Sequence, residues 1–372
     1  MGAKLLLAGG GHAHMMTLAN LPRFRDLGIE VTVVQPSPFH YYSGMGPGML
    51  GGTYTPEEIR FATRDVVEKA GGTFVLDRVV RIEPDCREVA LASGGKLSYD
   101  VLSLNIGSSV PEDILGCAGA DNIFTVKPIE RLEAARDLLI RLGGEGPVKV
   151  AVIGGGPSGV EIAGNVQGLA QRKGLPAVTI RLFARSTVMH GFPDKIRYRA
   201  IRSLRNRGVD IVEHCQVRAV HEDGVELESR QKWEADVIFI AVGVTPSPVI
   251  RESGLRTGPD GGLLVNRYLQ SVDHPDIFGG GDCISFQEQP LDKVGVYAVR
   301  ENPVLLHNLM AALEGRPLKP FDPGGDYLLI FNLGDDTGIL RKKCLLFGGR
   351  PAFLVKDYID RRFMRKFQAL ER

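Results

Sequence analysis

The stretch Val148 to Glu161 constrains the chain more than any other. An apolar run of strand length, Val148 to Ile153, breaks into Gly154-Gly155-Gly156-Pro157-Ser158-Gly159-Val160-Glu161, and a helix-compatible segment follows. Gly154, Gly156 and Gly159 stand at the spacing of a dinucleotide fingerprint. The first glycine permits the tight turn. The second lets backbone N–H groups approach a pyrophosphate at a helix N-terminus, and the third lets the helix pack closely on its strand. The partner strand, Val178 to Phe183, lacks the terminal carboxylate that receives ribose hydroxyls. Arg185 stands two residues beyond it, where an arginine accommodates a 2′-phosphate or is simply solvated.

The same pattern occurs at the start of the chain. Leu5 to Ala8 runs into Gly9-Gly10-Gly11-His12-Ala13-His14, with His14 at the position usually held by Gly or Ala. Ile29 to Val34 reads as the next parallel strand and ends at Gln35, an uncharged residue where an acid is usual. The loop from 36 to 55 is long and rich in Gly, Pro and Tyr, which favours a functional loop. Pro56 to Lys69 reads as one helix, with Pro in its first turn and Glu57 and Glu58 at the positive end of its dipole. Thr73 to Val80, Glu88 to Leu91 and Val101 to Ile106 read as strands, the last ending at Gly107-Ser108-Ser109. Ile129 to Leu142 reads as an amphipathic helix broken by Gly143-Gly144-Glu145-Gly146-Pro147. Ala235 to Val242 reads as a buried strand ending at Gly243. A short strand ends in Gly279-Gly280-Gly281-Asp282, and a helix is expected within Lys293 to Leu313.

Strands alternating with helices around two fingerprints imply an α/β fold of two Rossmann-like domains with a smaller C-terminal α+β region. The expected division is 1–112 with 246–318 for the first domain, 113–245 for the second, and 319–372 for the C-terminal region. A net charge of +1 gives no argument for nucleic acid. Five cysteines without a Cys-x-x-Cys pair suggest reduced thiols and a cytoplasmic location. His190, His214, His221 and His274 show no ligand spacing, so no metal is predicted. From Arg341 onward ten Lys/Arg oppose three Asp/Glu, while Ile359, Phe363, Phe367 and Leu370 recur at helical spacing. A basic amphipathic helix of this kind lies on an anionic membrane surface, or packs on its own domain or a dimer partner.

Gly9 to His14, Tyr42-Ser43-Gly44-Met45-Gly46-Pro47-Gly48, Gly295-Val296-Tyr297-Ala298-Val299-Arg300 and Asp360-Arg361-Arg362-Phe363-Met364 together carry a resemblance. The chain resembles the two-dinucleotide-binding-domain flavoproteins of the pyridine nucleotide–disulfide oxidoreductase superfamily. Within them it is most similar to type II NADH dehydrogenase-like proteins, in particular the oxidoreductase domain often fused to selenide, water dikinase. The resemblance implies FAD on the first fingerprint, at Gly9, Gly11, His12 and Ala13, with Gln35, Ser43, Val80, Gly107 and Ser108 as further contacts. It implies Asp282 on the ribityl hydroxyls, and Lys293 and Val296 at a helix whose N-terminus faces the flavin N1–C2 carbonyl. NADH or NADPH would bind at Gly154, Gly156, Pro157 and Gly159, with Arg185 and Gly243 nearby. Glu161 would lie at the nicotinamide–flavin contact, and Glu161 and Lys293 are the candidate catalytic residues.

The implied activity is hydride transfer from NAD(P)H to FAD and onward electron transfer to a quinone-like acceptor, at the membrane's cytoplasmic face if the tail attaches there. Two rivals stand beside it, a sulfide or persulfide:quinone-type enzyme and a non-catalytic flavin-bound redox sensor. The disulfide-reductase branch carries a Cys-x₄-Cys pair that Tyr41 to Thr53 lacks. Sulfide chemistry needs paired thiols, for which Cys117 and Cys344 are the candidates. Arg300-Glu301-Asn302 replaces the Gln-Gln-Gly-like segment beside the quinone site of type II enzymes.

Overall fold

The computed structural model describes residues 2–110 and 120–371. Each fingerprint strand sits at the centre of a five-stranded parallel sheet. The first sheet runs Ile277–Gly279, Val101–Leu104, Lys4–Ala8, Glu30–Gln35, Thr73–Leu76. The second runs Ile123–Thr125, Val237–Ile240, Val148–Ile153, Val178–Phe183, Asp210–Val212. Both central strands are apolar almost throughout, as strands covered on both faces must be, and Leu7, Ala8 and Val152 are fully buried. The fold is α/β with two Rossmann-like sheets. In each, the chain leaves the central strand towards one edge and later returns on the other side. The crevice at the strand ends is therefore a switch point, where ligands bind in such sheets. Ser108–Ser109 pairs antiparallel with Thr245–Pro246, so the segment leaving the first sheet lies beside the one returning from the second.

Two local readings are corrected. Pro56 to Lys69 is not one helix: Pro56–Ile59 is a single turn, Arg60–Phe61 is a strand and Thr63–Lys69 is a second helix. A capping box between Thr55 and Glu58 starts the first turn. Pairing of Arg60–Phe61 with His40–Tyr41 then competes successfully with helix propagation. Thr73 to Val80 is likewise two strands, Thr73–Leu76 and Val79–Glu83, in different sheets. The helix expected from Ile129 runs Arg131–Glu145 and ends at Gly146, inside the expected glycine-rich break, after taking in Gly143 and Gly144. Gly143 is used for packing, since a Cβ there would lie 2.8 Å from the Leu175 side chain.

The C-terminal region is an antiparallel sheet of Leu329–Asn332, Gly338–Lys342 and Leu345–Gly349, followed by the helix Arg350–Gln368. This tail helix docks on the 40–61 loop. Tyr42 Oη donates to Asp360 at 3.0 Å, Lys356 Nζ to the Gly44 carbonyl at 2.6 Å and Arg361 to Glu58 at 2.5 Å. Phe367 is buried and Phe363 packs on Tyr42, so much of the apolar stripe read from the sequence faces inward. The outward apolar face is Leu354, Val355, Tyr358 and Ile359. Among the described residues no helix is long and apolar enough to cross a membrane.

Candidate functional site

One cavity of about 620 Å³ is lined by both fingerprints, by the 36–47 loop, by Gly281–Asp282 and Lys293–Gly295, and by Phe331 and Lys356 of the C-terminal region. Of the expected site residues, Gly9, Gly11, His12, Gln35, Ser43, Gly107, Ser108, Pro157, Glu161, Asp282 and Lys293 meet on its walls. Ala13, Gly154, Gly156, Gly159, Arg185, Gly243 and Val296 do not line it. Ala13 is buried and packs under Gly280. Val80 is corrected by one position, because strand alternation turns its side chain 41 % exposed to solvent and puts Val79 on the cavity.

The first turn is built for a close backbone approach. Gly9 has φ +89°, and a Cβ there would lie 2.3 Å from the Asn105 carbonyl oxygen. His14 replaces the usual small residue by becoming a staple. Its Nδ1 donates to the Gly9 carbonyl at 2.5 Å and its Nε2 accepts from the Ser103 hydroxyl at 2.7 Å. Burial lowers its pKa to about 4, so it holds this neutral form at physiological pH. Gln35 is largely spent on the same task. Its Oε1 accepts from the Gly10 N–H at 2.9 Å and its Nε2 donates to the Ser37 and Phe39 carbonyls. One lone pair of Oε1 is left for a ribose hydroxyl.

Asp282 accepts from Ser108 Oγ at 2.8 Å and from Lys127 Nζ at 2.5 Å. Burial opposes its ionisation, but Lys127 and Ser108 hold its carboxyl below the usual range. Lys127 was not among the expected residues, for it lies 155 positions away and no motif marks it. Lys293 lines the cavity as expected, yet its ammonium is paired with Asp260 at 2.7 Å and bonded to the Ile284 carbonyl, which mutes its charge. The helix behind it, Gly295–Leu313, has no side-chain cap; the Tyr297 N–H is taken by the Val294 carbonyl at 3.1 Å, and Gly295 at the helix start lines the cavity. Glu301, one turn further on, is buried, accepts from the Gly281 N–H at 2.5 Å and is pushed up to about 7 by desolvation.

Glu161 and Lys356 both line the cavity. Glu161 Oε1 accepts from the Asn332 N–H at 2.8 Å. Desolvation pushes its carboxyl up to about 7, against the opposing pull of Lys356. Lys356 is buried and bonded to Asp360 at 2.5 Å. It was missed because its sequence context is that of any amphipathic helix. Beside it His12, His40, Tyr42 and Phe363 form an aromatic cluster with centroid distances of 4.8 to 5.9 Å. Both histidines are kept neutral chiefly by burial.

Of the thiols, Cys344 is exposed on the turn between Gly338–Lys342 and Leu345–Gly349. No cysteine lines the cavity among the described residues, and Cys117 lies outside them.

These features fit an extended dinucleotide in the first half of the cavity. Glycines let the turn's backbone pack directly on Asn105 and Gln35, Gly107 faces open space, and Ser108 and Asp282 offer a hydroxyl and a carboxylate to polyol hydroxyls. In the second turn nothing would meet a Cβ at Gly156, so its backbone is open to a ligand at the N-terminus of the helix Pro157–Lys173.

The comparisons agree with this layout. A type II NADH:quinone oxidoreductase of Staphylococcus saprophyticus is 24 % identical, over 98 % of this chain and 95 % of that protein. The Plasmodium falciparum NDH2 structure solved with NADH superposes with a TM-score of 0.85 at 14 % identity, covering 100 % of this chain and 97 % of that one. The sulfide:quinone oxidoreductase of Aquifex aeolicus gives 0.78 at 17 % identity, covering 99 % and 92 %. Residues 3–308 match the pyridine nucleotide-disulphide oxidoreductase family, which takes in both fingerprints, Asp282 and Lys293. The chain is an oxidoreductase that belongs to this family.

Proposed function

We propose that the protein takes hydride from NADH or NADPH onto a bound FAD and passes the electrons to a quinone-like acceptor. The observation that carries this reading is the one cavity lined together by the first glycine turn, by Pro157, Ser158 and Glu161 at the start of the second fingerprint's helix, by Asp282, by the uncapped start of the Gly295–Leu313 helix and by Lys356. The names of the staphylococcal and plasmodial relatives support it. FAD, when bound, supplies hydride acceptance and onward electron delivery. The chain's own residues do the rest. Residues 1–112 and 246–318 hold the flavin, 113–245 hold the nicotinamide nucleotide, and 319–372 close the cavity from the acceptor side. The uncapped helix end at Gly295 favours negative charge on the flavin ring edge. Glu161 holds a proton near neutral pH for an acceptor oxygen.

The outward face of the tail helix completes the reading. Leu354, Val355, Tyr358 and Ile359 are followed by exposed Arg362, Arg365 and Lys366, a pairing suited to an anionic membrane surface where quinones reside. A homodimer contact through the same face is the competing use.

Removing the Asp282 carboxylate (Asp282→Ala) is expected to release FAD. The change deletes hydrogen bonds to the ribityl chain, each about 0.5–1.5 kcal/mol net, and leaves Lys127 without its partner. Flavin absorbance of the purified variant, before and after reconstitution with excess FAD, checks this. A variant as yellow as the wild type would refute the placement.

The acceptor of hydride is tested by anaerobic titration of the flavin-loaded protein with NADH, NADPH and sulfide. Both nucleotides should bleach the flavin, NADPH at least as well as NADH, and sulfide should not. Phe183 offers no carboxylate to repel a 2′-phosphate, and the exposed Arg185 has no ion-pair partner among the described residues. Arg185→Ala should weaken NADPH by about tenfold through lost charge-assisted bonds and leave NADH unchanged. Bleaching by sulfide but not by nucleotides would move the protein to the sulfide reading. A flavin reduced by none of the three would leave only the sensor.

A further inference from the structure

A second cavity, of about 670 Å³, lies between the helix Asp194–Asn206 and the C-terminal sheet and shares no residue with the first. Its walls carry Lys195, Arg199 and Arg202 from the helix, with Ser203 and Asn206 beside them. The exposed Tyr198 supplies apolar surface, the buried Leu333 and Ile339 lie beneath the floor, and Gly348–Gly349 close the far side. The helix holds five Lys/Arg and a single Asp in a protein whose net charge is +1.

The carboxylates of this neighbourhood are already engaged. Asp194 pairs with Arg197 at 2.9 Å, Asp335 with Arg207 at 3.6 Å and Asp336 with Arg172 at 2.7 Å. Lys195, Arg199 and Arg202 have no carboxylate partner among the described residues. Their only recorded ring contact is the Arg202 guanidinium, 6.0 Å from the Tyr198 ring centroid. Arg199 is placed by the sheet, because its Nη1 lies 2.9 Å from where a Gly348 Cβ would stand. A side chain at Gly348 would push the guanidinium away. Ser203 Oγ accepts from Arg207 at 3.3 Å, which leaves its proton free to donate.

Lys195, Arg199 and Arg202 are exposed and line one concavity, where an anion would offset three like charges. Two arginine forks, an ammonium and a hydroxyl suit a phosphate group, whose oxygens accept several charge-assisted bonds at once. The volume exceeds what an inorganic anion needs and falls in the range of small-molecule sites. The Tyr198 ring beside the cations suits an organic body attached to the phosphate.

We propose that this groove binds a phosphate ester, its phosphate held by Lys195, Arg199 and Arg202 and its organic part against the Tyr198 ring. The ester is either an anionic lipid headgroup or a soluble phosphorylated compound, and the two share this recognition.

The test uses the FAD-loaded protein and inorganic phosphate as probe, with chloride at matched ionic strength as the blank. Calorimetry should show saturable phosphate binding in the wild type. The double variant Arg199→Gln/Arg202→Gln should weaken it by about tenfold or more. Arg205→Gln, on the same helix but off the cavity wall, should leave it unchanged. Thermal melting and flavin reduction by NADH in the double variant, expected to match wild type, show that the fold and the first cavity are intact. Displacement of bound phosphate by phosphatidylcholine vesicles containing phosphatidylglycerol, but not by phosphatidylcholine alone, supports the groove with a lipid source. Phosphate binding that persists in both supports it with a soluble ester. No saturable binding, binding indifferent to the double change, or an equal loss with Arg205→Gln overturns the proposal.

Discussion

Glu161→Gln should slow acceptor reduction by about 10²–10⁴-fold, the usual contribution of a positioned general acid, while flavin reduction by the nucleotide stays near wild type. The argument starts from burial. The carboxyl sits on the cavity wall with one oxygen bonded to the Asn332 N–H, and desolvation raises its pKa to about 7. Lys356 works against that rise and Asp360 adds to it, so this local balance sets the proton's availability. Below pH 7 the carboxyl carries its proton, and above it does not. Acceptor reduction by the wild type should therefore fall as pH rises through about 7, and the glutamine variant should show a lower, flat profile. Stability has the same sign. A carboxyl whose folded pKa exceeds its unfolded value adds stability at low pH that is lost as pH climbs through the folded value. Glutamine cannot ionise, so the variant should lose less stability than wild type between about pH 4.5 and pH 7, the interval over which the unfolded chain has ionised this carboxyl and the folded one has not. Stopped-flow traces of the two half-reactions across pH separate these effects. An unchanged acceptor rate with an unchanged pH profile would remove Glu161 from the chemistry.

Gly159→Ala should abolish nucleotide-driven flavin reduction in a protein that remains yellow. A Cβ at this position would lie 1.8 Å from the Gly154 carbonyl oxygen, so the helix Pro157–Lys173 must lift from its strand. Overpacking of this kind costs about 1–3 kcal/mol, which shows as a lower melting temperature. The functional loss is larger, because the displaced helix N-terminus carries the N–H groups that face the pyrophosphate. The first fingerprint is spared, so FAD content and reduction by dithionite should match wild type. A nucleotide KM within twofold of wild type would refute the assignment of this turn.

The two fingerprints show how much was legible. Both are local: a buried apolar strand, glycines at the turn and a following helix fix the parallel sheets and the place of the crevice at their ends. The α/β fold was therefore readable, as was the turn at Gly9 and Gly11, because strand, glycines and helix lie within a few residues of one another; Asp282 and Glu161 were marked only by the family resemblance, and all four line the cavity. The identity of an individual side chain did not suffice where its partner is distant. His14 looks like a defect in the first fingerprint, and only Ser103, 89 residues on, makes it a staple. Lys293 reads as a free charge until Asp260 is placed beside it.

The largest differences come from surfaces that sequence cannot pair. The Pro56–Lys69 segment has a helix's composition, but Phe61 pairs with His40 and the chain extends between two short helices. In the tail, periodicity identified an amphipathic helix without saying which face meets protein. Tyr42, Gly44 and Glu58 draw Asp360, Lys356 and Arg361 inward, and with them Phe363. Leu354, Val355, Tyr358 and Ile359 are thereby left outside. Helical spacing at 3.6 residues per turn repeats for every face alike, so the sequence determines that such a helix forms. Which stripe is buried depends on contacts more than 300 residues apart in the chain, and only the tertiary structure decides it.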